Sequence, residues 1–225
     1  MAARNDIAIT LRLSEFSETS QVVTLLTREC GQVRLLAKGT RRASRKRFAA
    51  GLDLLELGDV AFVPPRDTAG LGTLTEWRQR DAFAGLRTGL LPLYAGLYAA
   101  EAAAAPTTEH DPPLALFDAL AALLAGLSSP SGPALPTPIQ PAARTDRSRL
   151  GCSLALEQCE RLARFLFALL REAGFSPSFQ ACISCGRARP RSGVAFFSPS
   201  AGGLLCRNCG REARDRLTLE PVLLA

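Results

Sequence analysis

Two cysteine pairs, Cys182-Ile183-Ser184-Cys185 and Cys206-Arg207-Asn208-Cys209, stand 20 residues apart and constrain this chain more than any other feature. A CxxC turn places two thiolates about 3.5 to 4 Å apart on one side of a metal, and two such turns close a tetrahedral shell of four sulfurs. The pairs therefore predict one structural Zn2+ held by Cys182, Cys185, Cys206 and Cys209. A closed sulfur shell leaves no position for water, which argues against chemistry at the metal. Between the pairs, residues 194–197, 198–203 and 204–205 read as strand, turn, strand, so a small ribbon should carry the site. Two other readings stand beside this one: reduced, metal-free core thiols, or two disulfides. A thioredoxin-type redox pair fits less well, because it needs one CxxC at the start of a helix and no second pair.

The 225 residues allow one large or two to three small domains, and 47% hydrophobic content suffices to bury a core. Met1–Asp6 leads into an alternating segment and not a continuous apolar run, which predicts neither a signal peptide nor a spanning helix, and a cytoplasmic address without a membrane partner. Seven cysteines, an odd number with four committed to a metal, suit a reducing compartment. Cys152 and Cys159, on an expected helix, read as small buried apolar residues.

Residues 1–80 read as short strands. Ile7–Leu13 alternates, Val22–Thr27 is β-branched, Val33–Ala37 follows the Glu29-Cys30-Gly31 turn, and Leu52–Val63 and Leu71–Trp77 are parted by Pro64, Pro65 and Gly70. Five such strands suggest a small barrel of the OB type, which removes exposed edges and offers one face and its loops to oligonucleotides. Phe62 and Trp77 are assigned to its core, and Phe16 and Phe48 are left as candidates for base stacking. Net charge is +6, and residues 1–80 hold 13 basic against 9 acidic groups. Within them Arg34, Lys38, Arg41, Arg42, Arg45, Lys46 and Arg47 occupy fourteen positions with no acidic residue. A polyanion is the natural partner of such a run, because each cation that neutralises a phosphate releases condensed counterions. A solvated loop with no specific partner is the alternative.

From Asp81 the pattern turns helical, over Asp81–Gly89, Leu91–Ala105 and Asp111–Leu127, with Asp111 as a candidate cap. The one histidine, His110, sits in a proline-rich break with no nucleophile beside it and reads as an exposed loop residue. Residues 128–149 hold five prolines and form a surface linker, after which Leu150–Ala173 is a long amphipathic helix stopped by Gly174.

Five stretches resemble the RecO family of bacterial recombination mediator proteins. Ser17–Gly31 is similar to its first hairpin, Val33-Arg34-Leu35-Leu36-Ala37-Lys38-Gly39-Thr40-Arg41-Arg42 to its best-marked motif, and Gly72–Glu76 to the end of its barrel. Ala173–Pro177 running into Cys182–Gly186, and Gly202–Cys206, look like the approach to and return from its zinc module. The resemblance implies an α+β multidomain chain: an N-terminal five-stranded OB-fold barrel over 1–80, a central all-helical domain over 81–177 with the Pro-rich loop 128–149, a four-cysteine zinc ribbon over 178–210 appended to it, and a segment over 211–225 packing on the helical domain. It implies a non-enzymatic, nucleoid-associated protein that binds single- and double-stranded DNA and anneals complementary strands. The implied partners are RecR and the C-terminal tail of single-strand binding protein (SSB), with RecA loading as the outcome. The Pro-rich stretch is longer than the family's usual connection.

Three rival readings frame the expectation. A zinc-dependent base deaminase needs an HxE element and a PCxxC motif, whereas Ala181 precedes Cys182 and Asp111-Pro112 follows His110. A magnesium nuclease needs clustered carboxylates, and Asp53, Glu56 and Asp59 instead read as the polar side of a strand and its turn. A zinc-ribbon scaffold or regulator without annealing activity predicts base readout in place of uniform phosphate binding.

Overall fold

The computed structural model describes residues 2–39, 52–65, 70–108, 111, 113–129, 147–189 and 194–219, with the backbone alone over 147–155. Two compact units divide the chain, 1–169 and 170–225. Arg41, Arg42, Arg45, Lys46, Arg47, Phe48, His110 and most of the Pro-rich stretch lie outside the described residues.

In the first unit β1 (Arg4–Ser17), β2 (Ser20–Thr27), β3 (Gly31–Lys38), β4 (Leu57–Val63) and β5 (Gly72–Asp81) close a barrel in the order β1-β2-β3-β5-β4, as the strand count predicts. Neighbours run antiparallel except β3 and β5, where Leu35, Leu36 and Ala37 lie parallel to Gly72, Thr73 and Leu74. One long strand makes closure possible. Residues Arg4–Ile9 of β1 pair with β4 and Ala8–Ser17 with β2, and a register shift between Thr10 and Arg12 bends it from one neighbour to the other.

Side-chain alternation feeds two cores. Ala8, Val23, Leu25, Leu35, Phe62 and Trp77 fill the barrel, which places both aromatics where the sequence expects them. Ile9, Leu11 and Leu26, from the opposite face of the same strands, pack with helix residues. Both faces of β1 are thus covered, so residues 8–11 are buried in succession instead of alternately.

The helices are α1 (Leu90–Ala104), α2 (Leu114–Ser128) and α3 (Arg147–Glu172). The buried side of α1 is made of Ala95, Gly96, Ala99, Ala100 and Ala103, small enough for close packing; a Cβ on Gly96 would stand 3.0 Å from Leu55 and 3.3 Å from Leu124. Gly174, with φ 79°, ends α3 as expected, its N–H reaching the Arg171 carbonyl at 3.1 Å.

Four local expectations are corrected. Residues 81–89 are no α-helix: β5 runs to Asp81, whose carboxylate accepts the Phe83 N–H at 2.7 Å and sets up a 3-10 turn over Ala84–Thr88. The strand expected over 52–63 starts at Leu57, because Leu55 buries its side chain from a left-handed turn, φ 62°. α2 begins after Pro113 with no side-chain cap, so Asp111 does not cap it. Cys159 is exposed on α3, since Phe165, Leu162, Leu166 and Leu169 take the packed face; the Cys152 side chain is outside the described set.

In the second unit β6 (Ala195–Ser198), β7 (Gly203–Leu205) and β8 (Leu217–Leu219) form a sheet in the order β7-β6-β8. The expected strand, turn, strand is present. Residues 217–219, within the segment 211–225, pair with β6, because β6 has an open edge once β7 occupies the other.

A four-cysteine centre and a cationic barrel face

The two cysteine turns share one hydrogen bond and differ in how the chain leaves them, through a left-handed Gly186 in the first and a 3-10 turn over Cys209–Arg211 in the second. Gly186 N–H donates to the Cys182 carbonyl at 2.8 Å, and Gly210 N–H donates to the Cys206 carbonyl at 2.9 Å. Gly186 sits at φ 73°, where a side chain is disfavoured, and a Cβ on Gly210 would overlap the Phe196 ring. These turns bring all four sulfurs within 4.8 Å of one another, with Cys185 and Cys206 Sγ 3.8 Å apart and no disulfide among them. A tetrahedral metal with bonds of about 2.3 Å to sulfur requires an edge of about 3.8 Å, so the donor set fits one metal ion. Cys182 and Cys206 are buried, Cys209 is half-buried and Cys185 is exposed.

The electrostatics of the cluster favour a cation. Burial pushes the Cys182 thiol up, but backbone N–H groups of Cys206, Cys185 and Ser184 outweigh it and hold the thiol down at about 6. Backbone donation from Cys209 likewise lowers Cys206. Cys209 is pushed up to about 11, because Cys206 and Cys185 outweigh the lowering hydrogen bond of Ser184. Four thiolates this close coexist only when positive charge compensates them.

The second candidate region is the outer face of β1, β2 and β3. Register places Arg12, Thr24 and Arg34 in one row across the three strands and Ser14, Val22 and Leu36 in the next, with Lys38 opposite Ser20 beyond them. A groove of about 560 Å3 runs between the first row and Ala100, Glu101 and Ala104 of α1. Arg12 Nη2 donates to both Glu101 carboxylate oxygens at 3.0 Å, so one wall is clamped by an exposed ion pair. Arg34 and Lys38 are exposed and form no ion pair among the described residues. Phe16 is 61% exposed near the far end of β1. Of the sequence candidates for DNA contact, the structure thus puts Arg34 and Lys38 on one strand of this face. Arg12 and the α1 wall escaped sequence reasoning, and only the alternation of β1 together with its pairing to Thr24 could have flagged Arg12.

The suspected nuclease carboxylates do not converge. Asp53 pairs with Arg87 at 2.7 Å, Asp59 with Arg80 at 2.6 Å and Arg78 at 3.1 Å, and Glu56 is buried against Gln79. Among the described residues the four cysteines are the one group placed to hold a metal, and no helix is long and apolar enough to cross a membrane.

A closed OB-type barrel, a helical layer and a metal-ready ribbon with four sulfur donors define a multidomain protein of the kind that pairs an oligonucleotide-binding fold with a structural metal module. Comparison with known families gives the narrower placement. Residues 1–83 match the model described as Recombination protein O N terminal, and residues 152–225 match Recombination protein O C terminal. The chain is 36% identical over 205 residues to the DNA repair protein RecO of Rhodopirellula baltica, covering 90% of this chain and 66% of that one. It is 33% identical to the DNA repair protein RecO of Anaeromyxobacter sp. Fw109-5, covering 91% and 70%, and 30% identical to that of Myxococcus xanthus, covering 100% and 80%. The chain therefore spans about two thirds to four fifths of the length of these relatives. It belongs to the RecO family of DNA repair and recombination proteins.

Proposed function

We propose that this chain is a non-enzymatic DNA-binding recombination mediator, which grips phosphates with Arg34, Lys38, Arg41, Arg42, Arg45, Lys46 and Arg47 and lays unpaired strands across the outer face of β1–β2–β3. The observation that carries the reading is the row Arg12, Thr24, Arg34 with Lys38 beyond it: the exposed cations Arg34 and Lys38 stand on the barrel face, at the strand that leads into the remaining basic residues. Cations so placed bind the backbone irrespective of sequence, and Phe16 offers a π-face to a base. Annealing then needs no covalent step. The protein screens the repulsion between strands and raises their local concentration, and base pairing drives the reaction.

Zinc is the ion assigned to the four-cysteine centre, since a tetrahedral all-sulfur site suits it and its task here is to hold the ribbon folded. RecR and the C-terminal tail of SSB are the proposed protein partners, and loading of RecA on SSB-coated strands is the proposed outcome. The test is annealing of SSB-coated complementary strands, with and without RecR, across a salt series. Acceleration that fades with salt and strengthens with RecR is expected. Binding that depends on base sequence, without annealing, would point to a zinc-ribbon regulator.

A further inference from the structure

The four-cysteine unit carries more positive charge than its metal explains. Between residues 170 and 225 the sequence has eight arginines, no lysine and four acidic residues. A divalent ion with four thiolates is a dianion, so two guanidinium groups would balance it. The paired turns share a CxxCGR pattern in sequence, Cys182–Arg187 and Cys206–Arg211, so each metal-binding turn is followed at once by an arginine, Arg187 after the left-handed Gly186 and Arg211 at the end of a 3-10 turn. Arg187, Arg207, Arg211 and Arg214 are all exposed, and none forms an ion pair among the described residues. Arg214 opens on an exposed cleft of about 610 Å3 with Ser184, Ser198 and Ser200. The acid at that cleft is already engaged: Asp215 accepts from Ser200 N–H at 2.8 Å and from the Ser198 hydroxyl at 2.9 Å, and these donors hold its carboxyl down at about 2.

We infer that the four-cysteine unit is itself a phosphate-binding surface for a nucleic-acid backbone, with Arg187, Arg207, Arg211 and Arg214 as its cations. Arginine without lysine suits this task, because the planar fork meets phosphate oxygens two at a time. The inference rests on the mediator reading and adds a second place at which DNA is held.

The test uses the full zinc-loaded chain, single-stranded oligonucleotides and a salt series. Replacing the four residues (Arg187→Gln, Arg207→Gln, Arg211→Gln, Arg214→Gln) should lower the slope of log affinity against log salt by roughly 2 to 3, given about 0.7 per phosphate contact. Zinc content should stay unchanged. In the wild type, bound oligonucleotide should protect the same four arginines from phenylglyoxal, which reads the contact without any variant. An unchanged slope overturns the inference, as does loss of zinc with no protection in the wild type, which would make the arginines counter-charges of the metal. A chain that binds no oligonucleotide at all sinks the mediator reading, whereas barrel-dependent binding with an unchanged slope sinks this inference alone.

Discussion

The Glu56 carboxylate lies between the Asp53 backbone N–H and the Gln79 side-chain amide, both of which donate to it. The sequence places Glu56 on the polar side of a strand, yet it is buried, and the loss of hydration is the largest influence on its carboxyl, raising it above its ordinary value despite hydrogen bonds from Asp53 N–H at 3.3 Å and Gln79 Nε2 at 2.6 Å. A folded-state value above the unfolded one means that stability is fully present below the unfolded value and is lost as pH rises through the folded one. Glu56→Gln should therefore gain melting temperature relative to wild type as pH rises from the acid side of the glutamate range toward neutrality, and hold that gain above. A difference that stays constant across this range would contradict the assignment. The cysteines, in contrast, are legible individually, because spacing alone fixes which sulfurs can meet. Cys182→Ser or Cys206→Ser should reduce bound metal from about one ion per chain to near none and destabilise the ribbon, since metal binding energy is folding energy at such sites. Metal analysis with thermal unfolding, with and without chelator, checks this, and identical unfolding in both conditions would refute it.

At the scale of elements, the five strands are readable from alternation and breaker residues, while their ends are not. β5 outruns its apolar pattern to Asp81 because Leu57–Val63 of β4 pairs with it over that length, a contact no local pattern encodes. The short strand β8 escapes sequence reasoning for a similar reason: Leu217–Leu219 has little pattern of its own and is recruited by the open edge of β6. Two substitutions test the packing. Gly31 takes φ 80°, and a Cβ there would strike the Thr108 carbonyl oxygen, so the β2–β3 turn can touch the segment after α1 only with glycine. Gly31→Ala should cost at least about 2 kcal/mol, from left-handed strain plus collision with backbone. Leu120, fully buried in the core shared by barrel and helices, should cost about 2 to 5 kcal/mol as Leu120→Ala, with barrel and helices unfolding together. Denaturant unfolding followed by Trp77 fluorescence and by helical circular dichroism measures both; separate transitions for the two signals would contradict the shared core.

For the molecule as a whole, net charge of +6 says only that a polyanion is welcome, and its placement says where. Sequence locates the cations in one run; the fold shows that Arg34 and Lys38 belong to a barrel strand and adds Arg12 and the α1 wall beside them. That wall is invisible in the sequence because Ala100 and Ala104 are unremarkable helix residues until the barrel stands opposite. The most direct measurement is the salt dependence of single-strand binding for the wild type and for the reversal Arg34→Glu, Lys38→Glu, Arg41→Glu, Arg42→Glu. The account predicts tight binding at low salt that weakens steeply, and a slope smaller by roughly 2 to 3 in the variant, alike for every oligonucleotide sequence. An unchanged slope, or a wild type that ignores oligonucleotides at low salt, would contradict it.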